Sequence, residues 1–331
     1  MEGVKMFEGK KILITGGTGS LGQALTRRLL ENDVDTIRIL SRNEEKQIKM
    51  QSQFPTKRLR FFIGDVRDKD RLKRALEDID IVFHAAALKH VPVIEYNPFE
   101  AIKTNIVGSQ NLIDACLEEN VEKAICVGTD KAVSPLNTYG ATKLLMEKLF
   151  VSADNYLNKN KHKTKFIALR YGNVLGSSGS VVPFFINKIK SKEKISITDE
   201  KMTRFSITMN EALDFILESV EIGQGSDIFI PKLRAYSITD LKNAIFSLYG
   251  ETQEEVIGIR AGEKLHETLI NFDEIRNTID IGNKYVILKP ESKNKYENSK
   301  PANITMDYSS ENTEKLSQEE IKKLIAENIK S

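Results

Sequence analysis

The sequence predicts an α/β protein with a doubly wound, parallel sheet, and two recurring patterns support this prediction. Short apolar runs rich in β-branched and aromatic residues recur through the first half of the chain, and segments with helical periodicity separate them. Strands that alternate with helices of this length are typical of a parallel sheet covered by helices on both faces. The predicted strands lie at residues 11–15, 36–40, 59–64, 80–86, 123–129 and 165–170.

The pattern loosens after Tyr171, where a Gly/Ser-rich loop precedes a predicted helix that runs to Lys192. A strand at 227–231 and a helix over 237–250 indicate a return to α/β packing. Near the end of the chain, the sequence SQEE has Ser and Glu at the spacing of a capping box and predicts a last helix.

These patterns predict two domains. The first, over residues 1–170, is a Rossmann-like dinucleotide-binding domain with return segments near 205–250. The second, over residues 171–331, is smaller and is expected to bind mainly the substrate and to carry the C-terminal tail.

The composition indicates a soluble, cytoplasmic enzyme or sensor for small molecules. The 331 residues carry a formal net charge of +2, so no global field favours nucleic acid or an anionic membrane as a partner. No apolar stretch approaches the ~20 residues that span a bilayer. Cys116 and Cys126 are predicted to be buried thiols, and neither they nor His84 and His90 have the spacing of a metal site.

The turn after the first predicted strand, TGGTGSLG, predicts a dinucleotide-binding loop. Its glycines are spaced G-x-x-G-x-x-G at the start of a predicted helix. Glycine allows a tight turn and a close approach of the backbone to a pyrophosphate, which then lies at the positive helix N-terminus. The loop residues predicted to contact the cofactor are Gly16, Thr18, Gly19, Ser20, Leu21 and Gly22.

The end of the second predicted strand favours NADP over NAD. An acidic residue there would hold the ribose 2′-hydroxyl of NAD, whereas this strand ends in Ser41, Arg42 and Asn43. A guanidinium and a hydroxyl suit a 2′-phosphate, although Arg42 could instead be a solvated surface residue. The further predicted cofactor contacts are Lys46, Asp65, Val66, Ala85 and Ala86.

The stretch TDKAVSPLNTYGATK contains a tyrosine–lysine pair typical of hydride transfer to a nicotinamide. Tyr139 and Lys143 are four residues apart and share one face of a helix. We expect the Lys143 ammonium to lower the pKa of the Tyr139 phenol from its usual ~10, which makes Tyr139 a general base. Lys143 is also expected to hold the nicotinamide ribose, and Thr129 completes the predicted catalytic set.

From about Gly9 to at least residue 290, the chain resembles the extended short-chain dehydrogenase/reductase family, whose members act mostly on nucleotide sugars. Within that family, AAALKHVPVIEYNP, TDKAVSPLNTYGATK, RYGNVLGSSGSVVPFF, MTRFSIT and IGIRAGEKLHE are similar to the UDP-N-acetylglucosamine 4,6-dehydratases. The resemblance is to the configuration-inverting, 5-epimerising type that opens the pseudaminic acid pathway. It implies a tightly bound, regenerated NADP, UDP-N-acetylglucosamine as substrate, and a homo-oligomer.

The resemblance also implies a role for Asp130 and Lys131. Such a dehydratase oxidises C4 through Tyr139, removes the acidified C5 proton as the 6-hydroxyl leaves as water, and returns the hydride to C6. Asp130 is implied as the acid to the leaving hydroxyl and Lys131 as the group that works at C5. A lysine can be a base only if desolvation or a nearby cation such as Lys143 depresses its pKa. The other interpretation is a surface Asp–Lys salt pair at a strand end.

The resemblance implies a second set of residues that contact the substrate. Arginines at 204 and 260 are candidates for the UDP diphosphate, because a guanidinium fork suits paired phosphate oxygens, but each could instead form a structural ion pair. The implied contacts are Lys89, Asn173, Val174, Ser178, Gly179, Ser180, Val181, Arg204, Arg260 and Glu263.

Several alternatives stay open at this point. A retaining dehydratase of the same fold differs only in the configuration at C5, which an intact motif set does not reveal. A UDP-sugar 4-epimerase would use Tyr139 and Lys143 but gives no reason for Asp130 and Lys131. A related capsule-pathway group has methionine in place of Tyr139, and a non-catalytic NADP sensor would be expected to lack the tyrosine–lysine pair.

Overall fold

The computed structural model describes residues 5–158, 160–177, 179–290, 296–297 and 299–329. Its strands are β1 (Lys11–Thr15), β2 (Thr36–Ser41), β3 (Leu59–Ile63), β4 (Ile81–His84), β5 (Lys123–Val127), β6 (Lys165–Leu169), β7 (Asn173–Val174), β8 (Ile195–Ile197), β9 (Thr203–Ile207), β10 (Asp227–Pro231), β11 (Arg234–Ser237), β12 (Glu254–Val256), β13 (Thr268–Ile270), β14 (Thr278–Asp280), β15 (Lys284–Ile287), β16 (Lys300–Pro301) and β17 (Tyr308–Ser309).

The α-helices are α1 (Ser20–Leu30), α2 (Glu44–Gln53), α3 (Lys69–Leu76), α4 (Val91–Tyr96), α5 (Pro98–Ala101), α6 (Gly108–Glu118), α7 (Thr138–Ser152), α8 (Val181–Lys190), α9 (Met209–Ile222), α10 (Ile238–Tyr249), α11 (Phe272–Ile275) and α12 (Gln318–Asn328). A π-helical segment over Ile102–Val107 joins α5 to α6. A 3₁₀ turn over Asp130–Ala132 lies between β5 and α7.

The main sheet confirms the predicted α/β fold class. Within the described residues its strand order is β16–β14–β15–β10–β6–β5–β4–β1–β2–β3. Strands β1 to β6 are parallel to their neighbours in the sheet, and β10 pairs in parallel with β6. The chain changes direction across the sheet between β1 and β4, and open α/β sheets bind ligands in the crevice at such a switch point.

The two faces of the sheet bury two separate apolar layers. Along β1, Ile12 and Ile14 point into one layer together with α1 and α9, whereas Leu13 points into the other together with α3, α6 and α7. Side chains alternate between the faces of a strand, so a strand covered on both faces needs apolar residues at every position. This explains why the strand runs read as continuous apolar stretches.

A third apolar cluster forms the core of the smaller C-terminal unit. It joins α8, β8, α10 and α12, with Phe185, Leu241 and Ile325 among its buried residues. Helix α12 begins at the predicted capping box, in which Ser317 and Glu320 each bond to the other's backbone N–H. The predicted last helix is therefore confirmed.

The C-terminal half also extends the first sheet. Strand β10 forms at the predicted position, but β14, β15 and β16 add three antiparallel neighbours that the sequence analysis did not predict. Their sequences are short and mixed in polarity, so they carry little strand signal by themselves. The division of the chain at residue 170 stays a prediction about binding roles. Among the described helices, none is both long and apolar enough to cross a bilayer.

Candidate active site

The predicted catalytic residues lie at the carboxyl end of β5, beside the switch point of the sheet. After β5 the chain turns over the end of β6, where the backbone N–H of Asp130 donates to Tyr171 O at 3.0 Å. The Thr129 side chain caps the 3₁₀ turn that follows, accepting from the backbone N–H of Lys131. This turn directs Asp130 and Lys131 inward, so they do not form a surface salt pair.

Four of the predicted catalytic residues form one chain of contacts. The Thr129 hydroxyl lies beside the Tyr139 side chain and donates to Asp130 Oδ1 at 3.0 Å. Lys131 Nζ donates to the same Asp130 oxygen at 3.0 Å. Asp130 is completely buried, and its Oδ2 has no hydrogen-bond partner among the described residues. The site therefore combines a buried carboxylate and an ammonium in direct contact, with the Tyr139 phenol close enough for both charges to act on it.

Three oxygen acceptors surround the Lys131 ammonium and favour its charged form. Its Nζ lies 3.0 Å from Asp130, 3.1 Å from Asn173 Oδ1 and 3.3 Å from Glu267 Oε1. Burial lowers the pKa of Lys131, but the two carboxylates outweigh burial and hold that pKa above the ordinary lysine value. The depressed pKa that a basic Lys131 would require is therefore not found, and Lys131 is an ammonium in the resting protein.

The structure also differs from the prediction that Lys143 is the cation that lowers the pKa of Tyr139. Burial raises the pKa of the Tyr139 phenol, and the cation that opposes this rise is Lys131. Lys143 instead donates to Val127 O at 2.6 Å, and burial lowers its own pKa to about 8. The i, i+4 spacing places Tyr139 and Lys143 on one helix face, but the Lys143 ammonium turns toward the end of β5.

Glu267 belongs to the site and was missed by the sequence analysis. It precedes β13, is buried, and lies 3.3 Å from Lys131 Nζ. Lys264 also reaches the site and donates to Val133 O. Both residues lie in the stretch IGIRAGEKLHE quoted above. Glu267 directly precedes the strand residues TLI, and a carboxylate at the start of a strand could have indicated a site residue.

Arg204 does not present its guanidinium as a free phosphate ligand. Its Nη1 donates to Thr203 O at 2.7 Å and to Leu265 O at 3.0 Å, and its Nη2 donates to Lys264 O at 3.0 Å. The side chain is buried and lies 3.9 Å from Glu267. A guanidinium bound to three carbonyl oxygens fixes the 264–267 loop against β9, which corresponds to the structural alternative for this arginine.

Three further predicted substrate contacts, Lys89, Arg260 and Glu263, lie in loops of the structure. Arg260 is exposed, and Glu263 follows it in a loop that Asn137 ties to the start of α7 by donating to Gly262 O at 2.7 Å. Lys89 is exposed at the end of the loop after β4. Their contacts with a substrate stay predictions, and Arg260 is the predicted diphosphate ligand whose guanidinium reaches solvent.

The predicted substrate turn begins beside Lys131. Asn173 and Val174 form β7, which pairs with β9, and Asn173 contacts Lys131 directly. Gly179 has a left-handed φ of 76° and lies next to His90. Ser180 occupies the N-cap position of α8 without a side-chain cap hydrogen bond, and Val181 begins the helix. Ser178, which the resemblance also implied as a substrate contact, lies outside the described residues.

The glycine loop forms a cradle that side chains would fill. A Cβ on Gly16 would lie 2.8 Å from the Ala86 backbone, and one on Gly22 would lie 2.5 Å from Gly17. Gly19 caps α1 without a side-chain acceptor, so the first N–H groups of α1, beginning at Ser20, point out of the loop. This geometry fits a dinucleotide pyrophosphate, and Thr18 and Leu21 lie within the same turn.

The end of β2 has no carboxylate that could accept from a ribose. Arg42 is exposed and lies 3.7 Å from Asp65, which also pairs with Arg67 at 2.7 Å. Burial raises the pKa of Asp65, but hydrogen bonds from Arg67 outweigh it and the pKa is lowered. Asn43 caps α2 by accepting from the backbone N–H of Lys46.

The remaining predicted cofactor residues complete the wall of the crevice. The buried Ser41 hydroxyl accepts from Gln47 Nε2 at 3.0 Å, so it is already engaged within the fold. Val66 packs against Gly108 at the start of α6. Ala85 and Ala86 follow β4 and approach the glycine loop.

His84 is a buried packing residue. Its Nδ1 lies 2.8 Å from Thr15 Oγ1 and its Nε2 lies 3.0 Å from Ser109 Oγ. Burial, assisted by the charge of Lys143, lowers the pKa of His84 to about 3, so the ring is neutral. Over the described residues, no group of three or more metal-ligating side chains is found.

Comparison with known proteins places the chain among nucleotide-sugar enzymes. The family described as "Polysaccharide biosynthesis protein" matches residues 12–289. The UDP-N-acetylglucosamine 4,6-dehydratase (inverting) of Campylobacter jejuni serotype O:23/36 is 52% identical over 85% of this chain and 84% of that protein. A UDP-glucose 4-epimerase of Rickettsia bellii is 42% identical over 97% of this chain and 96% of that protein.

The fold has a close counterpart among solved structures. Pen from Bacillus thuringiensis superposes with a TM-score of 0.91 at 40% identity, covering 97% of this chain and 98% of that one. The matched region contains the main sheet apart from its edge strand β16, the catalytic residues, and α8, β8 and α10 of the smaller unit. The chain therefore belongs to the polysaccharide biosynthesis protein family, with the Rossmann-type architecture of the extended short-chain dehydrogenases/reductases.

Proposed function

We propose that this protein is an inverting UDP-N-acetylglucosamine 4,6-dehydratase, a hydro-lyase that forms UDP-2-acetamido-2,6-dideoxy-L-arabino-hexos-4-ulose. The observation that carries the proposal is the contact of the partly buried Lys131 with the buried Asp130, which also accepts from the Thr129 hydroxyl beside Tyr139. Hydride chemistry alone needs only the tyrosine. An elimination needs an acid and a base as well, and this site holds one of each.

The residues suggest how the proton moves. A bound nicotinamide supplies the temporary hydride acceptor for oxidation at C4 and the donor for reduction at C6. Tyr139 takes the proton of the 4-hydroxyl, and the resulting ketone acidifies the hydrogen on C5. In the resting protein the transferable proton is on Lys131, so its transfer to Asp130 across 3.0 Å produces a neutral amine and a carboxylic acid. Lys131 then removes the C5 proton while Asp130 protonates the departing 6-hydroxyl.

Incubation with UDP-N-acetylglucosamine in D₂O, without added reductant, tests the reaction. Proton NMR of the early product should show a 4-keto-6-deoxy sugar of L-arabino configuration with deuterium at C5. A D-xylo product would instead identify the retaining dehydratase. Unchanged substrate would remove the role proposed for Asp130 and Lys131.

The epimerase alternative is favoured by the Rickettsia relative, whose alignment covers 97% of this chain. A 4-epimerase leaves the 6-hydroxyl in place and has no use for the Asp130–Lys131 pair. The same NMR experiment separates the two activities, because a 4-epimer retains its 6-hydroxymethyl signals. A parallel incubation with UDP-glucose covers the substrate in that relative's name.

We infer that the cofactor is NADP. The support is the end of β2, where Arg42 is exposed and no carboxylate is in position to accept from a ribose 2′-hydroxyl. Arg42→Ala should weaken NADP binding by about tenfold or more and leave NAD binding nearly unchanged. Arg74→Ala, which removes an arginine from α3, provides the matched control. Equal loss for both dinucleotides would contradict NADP selectivity.

We further infer a cytoplasmic homo-oligomer that acts in pseudaminic acid biosynthesis. Support for self-association comes from exposed apolar side chains on neighbouring helices, with Tyr96 88% exposed on α4 and Phe99 63% exposed on α5. Leu145 is half-exposed on α7, which packs against both helices. Sedimentation of wild type and Phe99→Asp should show a smaller species for the variant, and an unchanged mass would remove this surface from the interface.

A further inference from the structure

Lys131 has a second buried carboxylate that no catalytic step described above uses. Glu267 is only 2% exposed, and its Oε1 lies 3.3 Å from Lys131 Nζ. Its Oε2 is buried without a hydrogen-bond partner among the described residues. A buried carboxylate is costly unless it is paired, and Lys131 is a nearer cation to Glu267 than Arg204, whose Nε lies 3.9 Å away.

The backbone holds Glu267 firmly in this position. The Glu267 N–H donates to Ser310 Oγ at 2.9 Å, and the Ser310 N–H donates to Glu267 O at 2.7 Å. The Ser310 hydroxyl also lies 2.7 Å from Thr203 Oγ1, next to Arg204. The segment that follows β17 therefore fixes a carboxylate against the catalytic lysine from a distant part of the sequence.

Lys131 is influenced by two carboxylates and by one other cation, so a single ion pair does not describe its electrostatic environment. Asp130 and Glu267 raise the pKa of Lys131, and Arg204 lowers it. The titratable and charged groups whose charges act on one another around Lys131 are Asp130, Glu267, Arg204, Lys264, Tyr139 and Tyr236.

The proposed elimination gives Glu267 a specific task. When Asp130 carries the proton for the leaving group, it is neutral and no longer offsets the charge of Lys131. The C5–H bond then breaks, its electron pair moves toward the C4 carbonyl, and a new N–H bond makes Lys131 an ammonium. Glu267 stays in contact with Lys131 through this step and so holds its amine in place; because Lys131 is an ammonium in the resting protein as well, the contact stabilises the resting state and the protonated product state alike.

We propose that Glu267 is a positioning residue for the dehydration, holding Lys131 in place and stabilising its protonated form while Asp130 acts as the acid. The proposal rests on the proposed function for its kinetic consequence. Its electrostatic consequence, however, concerns this chain alone and is measurable without any substrate.

The first experiment measures the reactivity of the Lys131 amine. Wild type and Glu267→Gln are treated with limiting acetic anhydride over a range of pH, and acetylation of Lys131 is quantified by peptide mass spectrometry. Only the neutral amine reacts, and each unit by which its pKa falls raises the neutral fraction tenfold. We expect Lys131 in Glu267→Gln to react about tenfold faster than in wild type.

Two further variants separate charge from access. Glu267→Asp keeps the charge but has a shorter side chain, so an electrostatic role predicts reactivity close to wild type. If Glu267 only shielded Lys131 from the reagent, Lys131 would react faster in Glu267→Asp than in Glu267→Gln, since the shorter aspartate leaves more room than glutamine. Glu311→Gln removes an exposed carboxylate next to His266 and should change nothing. Equal reactivity in wild type and Glu267→Gln, or faster reaction in Glu267→Asp than in Glu267→Gln, would overturn the proposal.

The second experiment follows single turnovers with UDP-N-acetylglucosamine. In Glu267→Gln, the reduced nicotinamide should appear at nearly the wild-type rate and decay about tenfold more slowly, because elimination and not C4 oxidation is impaired. Equal slowing of both phases would contradict the proposal. If wild type shows no turnover, the proposed function fails, whereas the acetylation experiment still decides the electrostatic role of Glu267.

Discussion

At the residue scale, Lys131 shows how neighbours determine the chemistry of a side chain. Burial by itself favours a neutral lysine, which would be a ready base. The contacts with Asp130 and Glu267 reverse that preference and keep Lys131 protonated. The same ammonium is the cation that opposes the rise in the Tyr139 pKa caused by burial. Lys131 is therefore coupled to both the oxidation and the elimination.

Lys131→Met should therefore affect two steps. We expect dehydration to fall by about 10²–10⁴ because the group that works at C5 is lost. The remaining C4 oxidation should require a higher pH, because the Tyr139 pKa, already raised by burial, rises further without this cation. The pH profile of nicotinamide reduction in single turnovers measures the shift. Lys148→Met, at an exposed position on α7, is the control, and a wild-type profile in Lys131→Met would contradict the coupling.

His84 gives a prediction for stability against pH. Its pKa is lowered to about 3 by burial in the folded protein, against an ordinary value of ~6.5 in the unfolded chain. Between these values the unfolded chain binds the proton and the folded protein does not, so stability falls as the pH drops. At about pH 5 the loss is about 2 kcal/mol. Urea unfolding of His84→Gln should show that much less acid sensitivity than wild type, and equal sensitivity would show that His84 does not cause it.

At the element scale, helix α7 joins the catalytic groups to the rest of the molecule. Its N-terminus is capped by Asn137, which accepts from the Gly140 N–H, and its middle carries the completely buried Glu147. Arg170, at the end of β6, donates to both Glu147 oxygens, at 2.6 and 3.0 Å, and also to Glu274. This buried network fixes the helix that presents Tyr139 and Lys143 relative to the end of the sheet.

Glu147→Gln should destabilise the protein strongly. Removing one partner leaves a buried guanidinium without its main counter-charge, which typically costs about 3–5 kcal/mol. Glu274→Gln should cost less, since Glu274 is 17% exposed and water can replace part of the interaction. Urea unfolding at neutral pH compares the free energies of unfolding of the two variants. A larger loss of stability in Glu274→Gln than in Glu147→Gln would contradict this prediction.

At the scale of the whole molecule, the main sheet crosses the predicted domain boundary. Strand β10 comes from the C-terminal half and pairs with β6 from the N-terminal half. Leu269 and Glu274 from the same half accept hydrogen bonds from Arg170. The first 170 residues therefore lack both the neighbour of their last strand and part of a buried charge network.

A fragment of residues 1–170 should not unfold cooperatively. It exposes the edge of β6, a buried strand rich in apolar residues, which favours aggregation. Circular dichroism during heating should show a broad or irreversible change for the fragment and a single transition for the full chain. A sharp reversible transition in the fragment, accompanied by NADP binding, would show that the first domain folds alone.

Much of the fold was predictable because its signals are local. The apolar runs of β1, β5, β6 and β10 lie at the predicted positions, since strands buried on both faces must be apolar throughout. The antiparallel strands β14 to β16 were not predicted, because short edge strands of mixed polarity resemble loops. The role of Arg204 likewise depends on carbonyl groups sixty residues away.

The sequence by itself determined the α/β class, the family resemblance and the residue types of the site, including Tyr139 with Lys143 and Asp130 with Lys131. Each of these depends on spacing over a few residues, which helix and turn geometry convert directly into a shared face or a common turn. Only the tertiary structure decided that Glu267 contacts Lys131 and that Lys143 donates to Val127 O. Protonation depends on the charges within a few ångströms, and folding brings those charges together from distant parts of the chain.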